Sequence, residues 1–313
     1  MSPPRVSVIV PAFNAAATIG RTLDCLAAQD LRDPFEVIVV DDGSTDATVP
    51  IARAHVVDVL SQDHAGPGPA RNLGVASAHG RVLAFTDADC FPTPGWLREG
   101  LEALGSAELV QGRVEADPGA RRGPYDRTVW VLRESGLYET ANLFIGRELF
   151  DHLGGFEDWL PARIGKPLAE DVWLGWRARR SGARTSFSDA ALVHHAVFSR
   201  PGREYAAERQ RLVYFPAMVR KMPELRRSFC YRGRFLSRRS AEFDLALGAA
   251  LAAAALRHPV PLLAAAPYAR TASSRALNWG RYAPRILIAD VAADAVGFTA
   301  LLTGSLRQGT LVL

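Results

Sequence analysis

The sequence predicts an α/β protein whose mostly parallel central sheet is flanked by helices and followed by a helical C-terminal extension. Three observations predict it. Short β-branched apolar runs alternate with segments of helical period up to residue 90. Each of those runs ends in a polar cluster. Beyond residue 200 the chain turns basic and then strongly apolar.

"VSVIV" (Val6 to Val10) is bounded by proline and reads as a buried strand, and "TIGRTLDCLAAQ" (Thr18 to Gln29) follows with helical spacing. "FEVIVVDDGSTDATVPIARAH" repeats the unit, with a strand from Glu36 to Val40, a polar turn and a helix from Thr45 or Asp46. A third helix, "GPARNLGVASAHG", feeds the strand of "RVLAFTDAD". Strand and helix in alternation imply right-handed crossovers, and open sheets of that kind bind ligands beyond the carboxyl ends of their strands.

The 313 residues, 48% of them hydrophobic, can bury the core of one large or two smaller domains, which excludes a disordered chain. With 37 basic and 33 acidic residues the net charge is only +4, too weak an excess to argue for nucleic acid. Three cysteines, Cys25, Cys90 and Cys230, stand far apart with no CxxC spacing. Free thiols in a reducing compartment are expected. The apolar run after Arg5 is too short for a signal-peptide core and meets Pro11 at once, so a cytoplasmic chain is expected.

The chemistry begins at "VLAFTDADCF", where Asp87 and Asp89 close an apolar strand. Two like charges there are costly unless solvent or a cation lies between them. Carboxylates at i and i+2 can approach one hard divalent ion. The alternative is a solvated turn in which either aspartate caps a backbone amide.

"VSVIVPAFNAAATIGRTLDCLAAQ", "EVIVVDDGSTDAT", "GPGPARNLGVASAHGRVLAFTDADC", "GGFEDWL" and "EDVWLGWRARRSG", in that order over residues 5–200, resemble the nucleotide-sugar-dependent glycosyltransferase family 2. The resemblance implies a GT-A type, Rossmann-like fold and an inverting transfer of one sugar from a nucleotide-diphosphate sugar. It implies that "DAD", Asp87, Ala88 and Asp89, holds Mn²⁺ or Mg²⁺ against the donor diphosphate. Asp89 is the direct ligand, and Asp87 is either a second ligand or a ribose contact. Pro11, Ala12, Phe13 and Asn14 would meet base and ribose, and Asp41 would accept the imide N–H of a uracil or thymine, which favours a UDP-sugar. Asp42 is assigned to the same pocket, although with Gly43 and Ser44 it equally reads as a helix N-cap turn. Gly68 and Arg71 of "GPGPARN" belong near the base or phosphates.

In the acceptor half, Glu170 and Asp171 open a helix, a placement that the helix dipole alone favours. The resemblance makes Asp171 the general base for the acceptor hydroxyl and gives Glu170 the task of binding or orienting that acceptor. "LVHHAVF" offers a histidine to complete the metal site; side chains alternate along a strand, so only one of the adjacent pair faces the metal. His194 is taken as that ligand, with His195 the alternative.

The domain reading is a catalytic domain at 1–200, its nucleotide-sugar half at 1–90 and acceptor half at 91–200, then a helical, membrane-peripheral region at 201–313. From Arg220 to Arg239 there are eight basic residues and one acid, and two apolar runs follow. The first is broken by Pro259 and Pro261, and the second carries Asp290 and Asp294 on one helical face. Both are expected to lie on the inner face of the cytoplasmic membrane, with arginines meeting anionic headgroups and a lipid-linked or glycan acceptor at hand. The alternative is a soluble helical subdomain. No "QxxRW" block occurs, which favours single-sugar transfer over polymerisation. A catalytically inactive nucleotide-sugar-binding or scaffold protein of the same fold is the competing function.

Overall fold

The computed structural model describes residues 3–161, 164 and 168–313. Two compact units emerge, one formed by residues 1–121, 128–161 and 166–198, the other by 122–127, 162–165 and 199–313.

The first unit carries an eight-stranded sheet of order β3-β2-β1-β4-β7-β6-β8-β5. Its strands are β1 Val6–Ala12, β2 Phe35–Asp41, β3 Asp58–Ser61, β4 Val82–Phe85, β5 Cys90–Pro92, β6 Leu109–Ala116, β7 Leu143–Gly146 and β8 Thr185–His195. β3, β2, β1 and β4 run parallel, as the alternation demands. β7 pairs antiparallel with both β4 and β6, and β5 antiparallel with β8, so the sheet is mixed. β1 is buried along its whole length, the pattern of a central strand covered on both faces.

The helices of this unit are α1 Ile19–Ala27, α2 Thr48–Arg53, α3 Pro67–Ser77, α4 Trp96–Leu104, α5 Arg147–Leu153 and α6 Glu170–Arg180. α1 presents Ile19, Thr22, Leu23 and Leu26 to the core at helical spacing. α2 starts later than Thr45 or Asp46. The Asp46 carboxylate accepts the Ala16 and Thr48 amides, each at 3.0 Å, and holds the turn open until Thr48. Asn142 ties the middle of the sheet together, donating to the carbonyls of Arg113 and Ala191 at 2.8 and 2.7 Å and accepting from the Trp96 indole at 2.8 Å. Each bond satisfies a group that burial would otherwise penalise.

α6 bears the acidic pair in its first turn, and three contacts hold it in place. The Trp159 indole donates to the carbonyl of Ala169, and the Trp176 indole to that of Gly136, both at 3.0 Å. Tyr138 lies so close over Gly175 that a Cβ there would come within 2.1 Å of its ring.

The second unit comprises α7 Gly202–Glu208, α8 Phe215–Lys221, α9 Leu225–Ser228, α10 Arg238–Leu256, α11 Ala266–Leu277 and α12 Ala283–Gln308. Ser237 caps α10 through a reciprocal capping box with Ser240. Asp290 and Asp294 do share a face of α12, and that face turns inward. Asp290 is wholly buried and pairs with Arg275, while Asp294 pairs with Arg239 at 2.7 Å and accepts from the Tyr268 hydroxyl at 2.8 Å. Part of the basic run is therefore spent internally, since Arg238 pairs with Glu242, Arg239 with Asp294, and Arg226 bonds the carbonyls of Gly233 and Leu311. Burial has overridden the expectation that all these arginines face lipid: a buried aspartate needs a cation more than a surface does.

Candidate active site

The polar ends of β1, β2 and β4 and the first turns of α3 and α6 supply the site. Arg71 of α3 is at its centre, with only 4% of its side chain exposed. One terminal nitrogen donates to Asp87 Oδ1 at 2.7 Å and the other to Glu170 Oε1 at 3.0 Å. Burial opposes its charge, yet Asp87, Glu170 and Asp171 outweigh that and raise its pKa. A Cβ at Gly68 would meet Asp158 Oδ1 at 3.1 Å, so that side chain would have to give slightly, and Glu170 Cγ at 3.4 Å.

Beyond β4, Asp87 is thus held by the arginine and Asp89 is left to the adjoining β5–β8 edge. Cys90 is the register partner of His195, and the Ala196 amide donates to the Asp89 carbonyl at 2.8 Å. This places His195 Nε2 3.5 Å from Asp89 Oδ1. Its Nδ1 lies 2.7 Å from the Ala196 carbonyl, so it is the protonated nitrogen, and Nε2 keeps its lone pair facing the carboxylate. Asp89, Cys90 and His195 offer ligand atoms all within 4.8 Å of one another. His195 rather than His194, the residue chosen from the sequence, is the one that faces Asp89. On the alternating strand His194 stands opposite Phe91 and Glu115, and its charge acts on Asp117. A carboxylate oxygen and an imidazole nitrogen converging this closely fit a Mn²⁺ or Mg²⁺ ion. The thiol of Cys90 does not extend that set, because burial, then Asp87 and Asp89, push its pKa well up and keep it neutral.

At the ends of β1 and β2 both aspartates hold neighbouring loop backbone. Asp42 serves no cap of α2. Its carboxylate accepts the amides of Ala65 and Gly66 at 2.8 and 3.0 Å and the Gln62 amide group at 2.7 Å, anchoring the loop that leads into α3. Asp41 takes the turn instead, accepting the Ser44 amide at 3.2 Å. Pro11 and Ala12 are the last residues of β1. Asn14 braces the same turn, its Oδ1 accepting the Thr45 amide at 2.8 Å. Phe13 remains exposed and stacks on His64, ring centroids 4.2 Å apart. His64 was invisible in the sequence because it lies in a loop with no motif around it.

Asp171 does not share the arginine's hydrogen bonds. Burial first and Glu170 second push its pKa well above the ordinary carboxylate range; Arg71 opposes them and Glu139 adds to the rise. Glu139 is a second residue the sequence did not disclose, since "LYETAN" matches no pattern of spacing. Burial raises its pKa to about 7.

Comparison with known proteins follows the same lines. The profile of the family described as Glycosyl transferase family 2 matches residues 7–156. Glycosyltransferase AglE of Haloferax volcanii is 31% identical over 219 residues, which cover 64% of this chain and 68% of that protein. The chain belongs to glycosyltransferase family 2. The pre-mycofactocin glycosyltransferase of Mycobacterium tuberculosis is likewise 31% identical, over 61% of this glycosyltransferase but only 42% of its own length. Among solved structures, the mannosyltransferase PcManGT from Pyrobaculum calidifontis, in complex with GDP-Man and Mn²⁺, superposes with a TM-score of 0.58 at 22% identity, covering 98% of this chain and 89% of that one. TarS 1-349 of S. aureus with UDP-GlcNAc gives 0.52 at 18% identity, covering 98% and 92%. These likenesses confirm the GT-A fold.

The raised pKa of Glu139 has a consequence for stability. The folded glycosyltransferase keeps that proton up to about pH 7, whereas the unfolded chain releases it near 4.5. Its contribution is therefore fully present below the unfolded value and is lost as pH rises to the folded one. Glu139→Gln is expected to gain stability over the parent progressively through this window and by a constant amount above it. Denaturant unfolding of both proteins at about pH 4, 6 and 8 measures the difference, and a gap independent of pH would contradict it.

Proposed function

We propose that this family 2 enzyme transfers one sugar from a nucleotide-diphosphate sugar to a hydroxyl of a lipid-linked or glycan acceptor, inverting the anomeric carbon. The observation that carries the reading is the convergence on buried Arg71 of Asp87, from the donor half, and Glu170, beside Asp171 in the acceptor half. Asp171 takes the proton of the acceptor hydroxyl, whose oxygen bonds to the anomeric carbon from the face opposite the departing diphosphate. The bond from that carbon to the diphosphate oxygen breaks with its electron pair on the leaving group. Burial and the neighbouring Glu170 raise the pKa of Asp171, which makes its carboxylate a stronger proton acceptor. Glu170, tied to Arg71, orients the acceptor rather than moving a proton.

Asp89 and His195 are the residues that would hold Mn²⁺ or Mg²⁺, which when bound neutralises charge on the departing diphosphate. Asp87, held by Arg71, is left to the ribose or to the outer side of that ion. The Phe13–His64 pair offers an aromatic face to the base, and Asp41, whose two oxygens share the single Ser44 amide at 3.2 and 3.4 Å, retains acceptor capacity for the imide of a uridine donor. The nucleotide-sugar half and the acceptor half divide near residue 90.

Association with an anionic membrane surface on the cytoplasmic side rests on the second unit alone. Leu251, Leu256, Val260 and Leu263, on and after α10, are 57–75% exposed and flank Arg257 and His258. Gly280–Gln308 is also long and apolar enough to cross a membrane by length and composition. Its buried Asp290 and paired Asp294 favour packing within the unit.

Asp89→Ala is expected to abolish Mn²⁺-dependent binding of the nucleoside diphosphate with the fold intact, His195→Ala to weaken it, and His194→Ala to leave it nearly unchanged. Titration calorimetry ranks the three, and a reversed order of the histidines would return the ligand role to His194.

Asp171→Asn should retain donor and metal affinity yet lose roughly 10²- to 10⁴-fold in turnover. Turnover at the parental rate, or a product that NMR shows to retain its anomeric configuration, contradicts the single-displacement mechanism.

Flotation with liposomes tests the membrane reading. Binding is expected to rise with anionic lipid content and to fall at high salt as charge attraction is screened. A chain that floats on neither neutral nor anionic vesicles leaves the second unit a soluble helical subdomain.

A further inference from the structure

In the second unit a cleft of about 740 Å³ opens between the start of α10 and α11, and the transfer chemistry makes no use of it. Arg238 and Arg239 line it from α10, and Pro267, Arg270 and Thr271 from α11. Its volume is that of a site for a small organic molecule. Like charges gathered in one cleft repel, and an anion between them removes that cost.

The three guanidiniums keep donors free. Arg238 spends only Nε, on Glu242 Oε1 at 2.8 Å, and its side chain is 77% exposed. Arg239 gives Nε and one terminal nitrogen to Asp294 and leaves the other terminal nitrogen without a hydrogen bond among the described residues. Arg270, exposed on α11, has neither a hydrogen bond nor an ion pair among the described residues. The acids nearby are already answered. Glu242 accepts the Thr271 hydroxyl at 2.7 Å through its second oxygen, and Asp294 is held by Arg239 and by the Tyr268 hydroxyl. Three cations with unspent donors thus share the cleft with one carboxylate whose oxygens are both engaged, which suits a multiply charged oxyanion.

The apolar neighbour of the cleft narrows the class of ligand. A 3₁₀ helix, Val260–Ala265, runs directly into α11, and Leu263, Pro267, Arg270 and Ser274 recur at helical spacing along that stretch. Leu262 and Leu263 are exposed, whereas Pro267, Arg270 and Ser274 line the cleft. The stretch passes from bare leucine to arginine, which fits a ligand with a hydrocarbon chain at one end and a charged head at the other.

We propose that this cleft binds the terminal phosphate of a phosphorylated lipid, whose hydrocarbon chains lie on the leucines before α11. The inference rests on the reading of the second unit as membrane-associated, and it names the headgroup that the unit selects. A terminal phosphate presents three outer oxygens, so Arg238, Arg239 and Arg270 can each donate to it. A phosphodiester headgroup presents only two.

The test floats the full chain on vesicles of phosphatidylcholine alone and of phosphatidylcholine carrying either phosphatidic acid or phosphatidylglycerol, in amounts that give equal surface charge. Binding to phosphatidic acid is expected to exceed binding to phosphatidylglycerol about fivefold. Arg270→Gln, which breaks no internal contact, is expected to bring the two close to equality. Arg307→Gln removes the same charge from the last turn of α12 and is expected to keep the parental preference. Calorimetry with dihexanoyl phosphatidic acid and with inorganic phosphate separates a lipid from a free ion, and the lipid is expected to bind about tenfold more tightly. Equal binding of the two anionic vesicles by the parent chain, or a parental preference kept by Arg270→Gln, overturns the inference and leaves the membrane reading in place. Inorganic phosphate bound as tightly as the lipid overturns the lipid assignment. A chain that floats on none of the vesicles overturns the membrane reading, and the inference with it.

Discussion

A guanidinium removed from water must be matched by carboxylates, and the site of this protein is built on that requirement. Arg71, almost wholly buried, draws Asp87 from the end of a strand and Glu170 from the start of a helix that lies 99 residues further along the chain. Removing one member of a buried pair costs about 3–5 kcal/mol, because the remaining charge is left without a partner. The interaction thus ties the end of β4 and the start of α6 to one side chain of α3. Gly68, in the first turn of α3, faces the side chains of Asp158 and Glu170.

The arginine's choice of partners settles the rest of the site by exclusion. With Asp87 and Glu170 engaged, Asp89 lies at the β5–β8 edge and Asp171 makes no hydrogen bond to the arginine. Each member of the two acidic pairs therefore meets a different environment from its neighbour. Asp89 faces an imidazole whose other nitrogen is committed to a backbone carbonyl. Burial and the charge of Glu170 push the pKa of Asp171 up. One buried cation thus binds two of the four carboxylates and not the other two.

The helical unit obeys the same electrostatic rule to a different end. There the acids of the apolar α12 face arginines of α10 and α11, and the charges cancel inside the unit. What remains for a surface is a set of exposed leucines on and after α10. The same residues that read as membrane-facing in a linear view are divided between an internal ionic core and an outer apolar face.

The sequence by itself determined the α/β class, strands β1, β2 and β4 with the helices between them, the family, and the residue types at the ends of those strands, but not the short edge strand β3. It could do so because strand and helix periods are local, and because polar residues closing an apolar run have few structural reasons to be there. It did not determine the antiparallel insertion of β7, since pairing direction depends on where a distant strand returns. Tertiary structure also decided which histidine faces Asp89, because the alternation of side chains says that one does and only the register of β8 against β5 says which. Asp42 serves the loop before α3 rather than a cap of α2 for a similar reason: that loop begins some twenty residues later. Glu139 was beyond reach of any linear reading. Its Oε2 is closed off from water and its neighbour Tyr138 packs against Gly175 of α6, and both follow from contacts between segments far apart in the chain.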